Sequence, residues 1–213
     1  LAINLQKNMS LRAIEDLGEL YMREIIVVDY DPNWKDEFNK LKEVYMVALK
    51  DLNIDIQHVG STSVKGLAAK PIIDIDIIVD GENEKEKIIR ILETLGYRHM
   101  GDLGIKGREA FKADDDSVPH NEKYKNFMEH HLYLIERGNI NLSNHLKLRD
   151  FLRNNSLAVK EYGDLKKKLA EEYKYDIDSY IEKKTALITD FLKKTGMTKR
   201  ELKMITEENE NKD

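Results

Sequence analysis

Two aspartates lie two positions apart in a strongly apolar stretch of the chain. Residues 70–80 are rich in isoleucine and valine, and Asp74 and Asp76 interrupt the run at alternating positions. A short run of this composition predicts a buried β-strand, on which both carboxylates face the same side. Burying two like charges together is costly unless a cation or several hydrogen-bond donors lie between them. A pair of hard oxygen ligands is typical of a site for Mg²⁺ or Mn²⁺.

A small turn rich in hydroxyl groups precedes this strand. Gly60 allows close approach to a ligand or a positive φ, and Ser61 and Ser63 follow it. The hydroxyls and backbone N–H groups of such a turn can bind an anion such as phosphate. A phosphate-binding turn beside a divalent metal is the arrangement used for phosphoryl and nucleotidyl transfer. We therefore predict that Gly60, Ser61 and Ser63 bind phosphate.

The spacing of these two motifs resembles a known signature. Gly60-Ser61, a gap of twelve residues and then Asp74-Ile75-Asp76 is similar to the Gly-Ser…Asp-x-Asp signature of the DNA polymerase β-like nucleotidyltransferase superfamily. The longer string over residues 58–75 resembles, far more specifically, the GrpB family, which is assigned to that superfamily by similarity. The resemblance implies that Asp74 and Asp76 are catalytic and hold Mg²⁺ or Mn²⁺. It also implies a nucleoside triphosphate, or another phosphorylated small molecule, as the ligand.

Two further positions match basic residues of the family. Arg108 precedes an aromatic strand and is a candidate phosphate clamp, with a surface salt bridge as an equal alternative. His131 lies on the next predicted strand, where the family typically has His-Leu-His-Val and this chain has Tyr133 at the second histidine. Because tyrosine is a poor ligand for Mg²⁺, a two-histidine metal site is not expected. His131 is a candidate for contact with metal, phosphate or Asp74, and a buried structural histidine is the alternative.

A third carboxylate is missing from the pattern. Active members of the superfamily generally have it on a later strand, where it helps to activate the attacking hydroxyl. The strand of His131 offers no acid on the face of His131 and Tyr133, apart from Glu129 at its start. Asp114 is a further candidate by position only.

Other polar residues have competing interpretations. His58, just before the turn, is interpreted as a hydrogen-bonded brace of the loop in preference to a ligand of phosphate or metal. Lys166 and Lys184, on predicted C-terminal helices, match family positions and are candidates for binding a triphosphate. A lysine on a helix usually faces solvent, which is the alternative for both.

Two classes of function are consistent with these residues. The leading hypothesis is an enzyme that transfers a nucleotidyl group from a nucleoside triphosphate to an unknown acceptor. The alternative is a catalytically silent module that binds a nucleotide, a phosphorylated metabolite or RNA. The incomplete carboxylate set favours the module, whereas a pair of mutually repelling aspartates favours catalysis. The chain has no Gly-x-x-x-x-Gly-Lys-Ser/Thr loop, so a P-loop kinase is not expected.

Composition narrows the class of protein further. The chain has 213 residues, enough for one domain, and its 41% of hydrophobic residues can build a core. A formal net charge of −5 produces no global field that would attract nucleic acid. The chain has no cysteine, which excludes disulfides and thiolate chemistry. No apolar stretch approaches the roughly 18 residues of a membrane span, so we expect a cytoplasmic protein without a membrane partner.

The elements that must position the site follow from hydrophobic periodicity. We predict an α+β fold in which a mixed sheet of about five strands carries the carboxylates. Helices flank the sheet, and a C-terminal helical section closes one side of the cleft. Residues 22–195 are predicted to form this domain, after a helical N-terminal extension over residues 1–21. Residues 196–213 are predicted to be a charged tail that forms a loose helix or frays.

Overall fold

A computed structural model describes residues 23–210, which contain six α-helices and five β-strands. In chain order these are α1 (Trp34–Ala48), β1 (Ile54–Val59), β2 (Ile73–Val79), α2 (Glu82–Thr94), β3 (Arg98–His99), β4 (Arg108–Lys112), β5 (His130–Glu136), α3 (Ile140–Arg153), α4 (Ser156–Glu172), α5 (Ile177–Lys194) and α6 (Lys199–Glu210). A short 3-10 turn, Ser61–Ser63, lies between β1 and β2. The helix predicted within residues 1–21 lies outside the described residues.

All five strands form one mixed sheet in the order β1-β2-β5-β4-β3. The pair β2–β5 is parallel, and the other three pairs are antiparallel. The predicted α+β fold with a mixed sheet of five strands, flanking helices and a C-terminal helical section is therefore confirmed.

One face of the sheet forms the main hydrophobic core. The side chains of Ile73, Ile75 and Ile77 on β2 are fully buried there against helices α1 and α2. Trp34 opens the buried face of α1 and is only 2% exposed, so it is a core residue, as its helical spacing predicts. Burial of each large apolar side chain contributes about 1.5–3 kcal/mol to the stability of the fold.

The opposite face of the sheet carries Asp74 and Asp76 and is covered by the C-terminal helices. Leu142 of α3 packs there against Ile78 and Ile135 of the sheet. Helices α3, α4 and α5 also pack against one another and against the loop that follows the Ser61–Ser63 turn. The candidate polar residues therefore lie between the sheet and the helical section.

The N-terminal apolar segment at residues 24–30 is not a strand of the sheet. Val28 forms one isolated antiparallel bridge with Ala69, and the N–H of Ile25 donates to the carbonyl of Lys174. Ile25 is buried among side chains of α4 and α5, whereas Ile26 is 54% exposed. The apolar composition of this run is typical of a strand, but the segment joins the loop before β2 to the helical section.

Residues 196–210 are better ordered than the predicted charged tail. Helix α6 begins with a capping box, in which the N–H of Glu201 donates to the Thr198 hydroxyl and the N–H of Thr198 donates to the Glu201 carboxylate. Met197, Leu202 and Ile205 are buried against α5. Of the two predicted states, a loose helix or a frayed end, the structure has a helix, and three apolar side chains among many charges dock it.

Replacement of Ile205 by alanine tests this docking. Because Ile205 is 2% exposed, we expect a loss of about 2 kcal/mol in the free energy of unfolding, measured by urea denaturation. Met204, which is 39% exposed on the same helix, is the control, and its replacement by alanine should change stability by less than about 0.5 kcal/mol. Equal small effects of both changes would contradict the docked position of α6.

No helix among residues 23–210 has the length and apolarity required to cross a membrane.

Candidate functional site

The carboxylates of Asp74 and Asp76 lie side by side on the helix-covered face of β2. Asp74 pairs in register with Val59 of β1 and His131 of β5. Asp76 is fully buried, whereas the side chain of Asp74 is 30% exposed. Asp76 therefore lies at the buried end of one polar site, and Asp74 lies at its opening to solvent.

Each carboxylate is held by a histidine from a distant part of the chain. The Nδ1–H of His131 donates to Asp74 Oδ1 at 2.9 Å, and the Nδ1–H of His145 on α3 donates to Asp76 Oδ2 at 2.8 Å. Burial opposes the charged form of His145, but the charge of Asp76 and their hydrogen bond outweigh it, so the pKa of His145 is raised. Burial likewise opposes ionisation of Asp74, but the bond and charge of His131 leave the pKa of Asp74 lowered. The pair of His131 and Asp74 therefore favours the ionised form of Asp74.

One oxygen of this pair has no partner. Asp76 Oδ1 is buried and accepts no hydrogen bond from any residue that the structure describes, although its neighbour Oδ2 accepts one. An unsatisfied buried carboxylate oxygen is costly, and a cation would satisfy it. Among residues 23–210 no group of three or more His, Cys, Asp or Glu side chains is arranged to hold a metal. Asp74 and Asp76 would supply two oxygen ligands of the type that Mg²⁺ and Mn²⁺ prefer, which is fewer than such an ion takes.

The turn lies directly against these carboxylates. Gly60 has φ +66° and ψ −174°, and a Cβ built on it would lie 2.0 Å from Asp74 Oδ2. Any side chain at Gly60 would therefore collide with the candidate metal ligand. Only glycine allows the backbone of the Ser61–Ser63 turn to start so close to Asp74.

Lys166 of α4 contacts Ser61, the first residue of this turn. Its Nζ donates to the Ser61 hydroxyl at 2.8 Å and lies 4.4 Å from the centre of the Tyr162 ring. The residue is 2% exposed, so this helical lysine does not face solvent. Burial and the neighbouring charge of Lys184 hold the pKa of Lys166 well below its usual range. Lys184 itself lies over the ring of Tyr180, at 4.2 Å from its centre.

The remaining turn residues support the backbone of the loop. The Ser63 hydroxyl donates to the Gly60 carbonyl at 2.6 Å, so its proton is already used within the turn. His58 donates from Nε2 to the Thr62 hydroxyl at 3.1 Å, and its ring stacks on Phe38 with centres 4.5 Å apart. Burial lowers the pKa of His58 to about 4. His58 is therefore a neutral brace of the loop, in agreement with its interpretation from the sequence.

Arg108 of β4 lies on the same face of the sheet as the carboxylates. Its guanidinium lies 4.6 Å from the centre of the Tyr133 ring, and Nη2 donates weakly to the carbonyl of Asp102 at 3.4 Å. The Nε of Arg108 is buried and has no hydrogen-bond partner among residues 23–210. The surface salt bridge suggested as an alternative is not observed within the described part of the chain, and Tyr133 holds the guanidinium instead.

Both candidates for a third carboxylate accept hydrogen bonds from arginines. Glu129 accepts two hydrogen bonds from Arg23, at 2.5 and 2.6 Å. Asp114 accepts one from Arg98 at 2.9 Å. On β5 the positions in register with Asp74 and Asp76 are taken by a histidine and a tyrosine, not by an acid.

Three residues on the inner face of α3 carry no role in the sequence interpretation. His145 donates to Asp76, Arg149 donates to the Gln57 side chain at 2.8 Å, and Arg153 donates to the Ser63 carbonyl. They occur at intervals of four, which places them on one face of a helix. The spacing of four residues could have indicated that the three side chains share one face of a helix. It does not indicate which surface of the protein that face contacts.

The protein is thus an α+β domain in which a hydroxyl-rich turn adjoins two carboxylates on β2, the second strand of the sheet. Residues 24–194 match the family model described as GrpB protein, and the chain belongs to the GrpB family. It is 36% identical to the Glutamate-rich protein GrpB of Alkalihalophilus pseudofirmus over 171 residues, which cover 79% of this chain and 94% of that protein.

Two further comparisons extend this relation. The crystal structure of the conserved protein GrpB from Enterococcus faecalis is 31% identical with a TM-score of 0.66, covering 81% of this chain and all (100%) of that one. The UPF0157 protein YqkA of Bacillus subtilis is 34% identical over 162 residues, which cover 76% of this chain but 44% of YqkA. The names of these relatives state no activity, so the function must be argued from the site.

Proposed function

We propose that this protein binds a nucleoside triphosphate together with Mg²⁺ or Mn²⁺ and transfers its nucleotidyl group to an acceptor hydroxyl. The observation that carries the proposal is the contact between the turn and the carboxylates. Gly60 brings the Ser61–Ser63 turn against Asp74, so a group that binds phosphate adjoins a group that binds a cation. This combination is what nucleotidyl transfer requires.

The residues around this contact have separate roles. Asp74 and Asp76 would hold the metal, and the unsatisfied Oδ1 of Asp76 is one ligand atom for it. The Ser61 hydroxyl and Lys166 would bind the β- and γ-phosphates, and Lys184 would add positive charge behind them. A bound divalent ion supplies neutralisation of the charge that develops on the phosphates. Arg108, with its unsatisfied Nε, is a donor on the other side of the carboxylates.

A second candidate is a catalytically silent module for a nucleotide, a phosphorylated metabolite or an RNA end. It is favoured by β5, which presents His131 and Tyr133 where an active relative would present a third acid. The hydrogen bond from His131 to Asp74 also occupies an oxygen of the carboxylate pair. Binding would survive both features, whereas activation of an acceptor hydroxyl would lack its base.

Metal binding is the first test. We expect calorimetry with Mn²⁺ to show one site in the parent protein and none after Asp74→Asn with Asp76→Asn. Asparagine keeps an oxygen that can accept the histidine hydrogen bonds but loses the charge that holds the ion. The matched control is Asp178→Asn with Asp190→Asn, two exposed acids of α5. Equal weak binding by all three proteins would contradict the metal site.

Turnover separates the enzyme from the module. The protein is incubated with each labelled nucleoside triphosphate, Mg²⁺ or Mn²⁺, and pooled metabolites or RNA, and pyrophosphate release is measured. We expect release with one of these combinations that disappears in the double asparagine variant. Nucleotide and Mn²⁺ binding without any release would reject the transferase and favour the silent module.

A further inference from the structure

Two cations from different helices contact opposite ends of the same short turn. Arg153, at the end of α3, donates from Nε and Nη2 to the carbonyl of Ser63 at 3.1 and 2.9 Å. Lys166 of α4 donates to the hydroxyl of Ser61 at 2.8 Å. These contacts join positions 90 and 105 residues apart in the chain, so the helical section is what brings the charges to the turn.

Neither cation is neutralised by an acid. Within residues 23–210, Arg153 and Lys166 form no ion pair with an Asp or Glu side chain. Arg149, one turn before Arg153, differs in this respect because it pairs with Asp150 at 2.7 Å. Two basic side chains therefore contact the turn, beside the carboxylate of Asp74. Basic donors at the two ends of one turn favour a polyanionic ligand.

Burial first, and neighbouring like charges second, disfavour the charged forms of Arg153 and Lys166. Burial, followed by the charge of Arg149, lowers the pKa of Arg153. Burial and Lys184 lower the pKa of Lys166 much further. An anion bound at the turn would relieve both repulsions.

The two cations differ in depth and in the donors that they offer. Lys166 is 2% exposed and forms the floor beneath Ser61, whereas Arg153 is exposed at the rim beside Ser63. Arginine carries five N–H donors, and two nitrogens of Arg153 already hold the Ser63 carbonyl in place. The guanidinium is thus fixed in position with donors left for a ligand.

We propose that Lys166 and Arg153 bind successive phosphates of one chain, so that the site selects a triphosphate over a ligand with a single phosphate. This rests on the proposed function, and it adds Arg153 as a residue that determines specificity. Lys166 and Ser61 would bind the phosphates that lie deep in the site, and Arg153 would add donors to the terminal phosphate at the rim.

The test uses inorganic tripolyphosphate, pyrophosphate and orthophosphate as probes, titrated by calorimetry into the full chain. Titrations in EDTA isolate the cations from metal, and titrations in Mg²⁺ repeat them under the proposed working conditions. We expect tripolyphosphate to bind most tightly and orthophosphate least, with affinities that fall as salt is added.

Four variants separate the two phosphate positions. Arg153→Gln should weaken tripolyphosphate about tenfold and leave orthophosphate unchanged, and Arg153→Lys should restore most of the loss. Lys166→Met should weaken all three probes about tenfold or more. It should not lower the melting temperature, because methionine removes a buried charge that has no acidic partner. Arg90→Gln, on the exposed surface of α2, is the matched control and should bind like the parent.

Specific outcomes overturn this inference. They are orthophosphate binding as tightly as tripolyphosphate, unchanged tripolyphosphate affinity in Arg153→Gln, and no tripolyphosphate binding by the folded parent. A brace without a ligand role would change the melting temperature of Arg153→Gln but not the ratio of the two affinities. If the phosphates bind in the expected order but no pyrophosphate is released, the transferase is rejected and this inference stands. If pyrophosphate is released but Arg153→Gln binds tripolyphosphate as tightly as the parent, the transferase stands and this inference is rejected.

Discussion

Replacement of Gly60 by alanine is expected to lower the free energy of unfolding by about 3–5 kcal/mol and to abolish Mn²⁺ binding. Two effects add at this position. The backbone occupies φ +66° and ψ −174°, a region that only glycine visits readily. The new methyl group would also lie 2.0 Å from Asp74 Oδ2, so the carboxylate or the turn must move. Urea denaturation and Mn²⁺ calorimetry measure the two consequences.

Gly66 provides a matched control in the same loop. Its φ is +83°, but a Cβ there would meet only Val159, at 3.9 Å. Gly66→Ala should therefore cost only backbone strain, about 1 kcal/mol, and should leave Mn²⁺ binding intact. Equal stability losses in the two variants, or full Mn²⁺ binding by Gly60→Ala, would show that the turn does not depend on this close approach.

Acidification is expected to destabilise the protein in the window between pH 6.5 and about 4. His58 and His130 are buried and neutral, and burial lowers the pKa of each to about 4. The Nδ1–H of His130 donates to the Met128 carbonyl while Nε2 accepts from the Tyr97 hydroxyl, so a second proton would break that bond. The unfolded chain binds these protons near pH 6.5, whereas the folded protein binds them only near pH 4. The contribution of the two histidines to the free energy of unfolding is therefore fully present above pH 6.5 and falls as the pH drops toward 4. The loss is about 2 kcal/mol per histidine at pH 5 and about 3 at pH 4.

His58→Gln isolates one of these two groups. Glutamine can donate to the Thr62 hydroxyl but does not titrate, so the variant should lose about 2 kcal/mol less than the parent between pH 7 and pH 5. The comparison uses the change in the free energy of unfolding with pH, so the cost of the substitution itself cancels. An identical pH dependence in both proteins would mean that His58 is not a buried neutral histidine.

Features set by neighbouring residues were predictable from the sequence. The alternation of isoleucine and aspartate in β2 indicates a strand with both acids on one face, and a brace role for His58 follows from its place beside the turn. The mixed five-stranded sheet follows from several such runs together with the family resemblance. A helix after residue 196 was one of the predicted states, but its docking was not predicted, because its capping box and its few apolar residues are surrounded by charges.

Features that depend on distant contacts were not predictable in the same way. His145 and Arg153 meet partners 69 and 90 residues away, and no local pattern shows which surface α3 covers. Lys166 resembles any helical lysine, since its burial is decided by how α4 packs on the turn. The N-terminal apolar run has the composition of a strand, and composition does not reveal that Ile25 inserts between helices.

The parallel pairing of β2 with β5 has a consequence for the order of folding. The antiparallel pair β1–β2 can form as soon as β2 has left the ribosome, because its two strands are close in sequence. The histidines that hold Asp74 and Asp76 come 57 and 69 residues later. During synthesis Asp74 and Asp76 therefore leave the ribosome before the two histidines that bind them, His131 and His145. The N-terminal half of the chain alone has no complete site. Translation that stops before α3 yields a chain that already has the aspartates but has neither His145 nor the two cations of the turn.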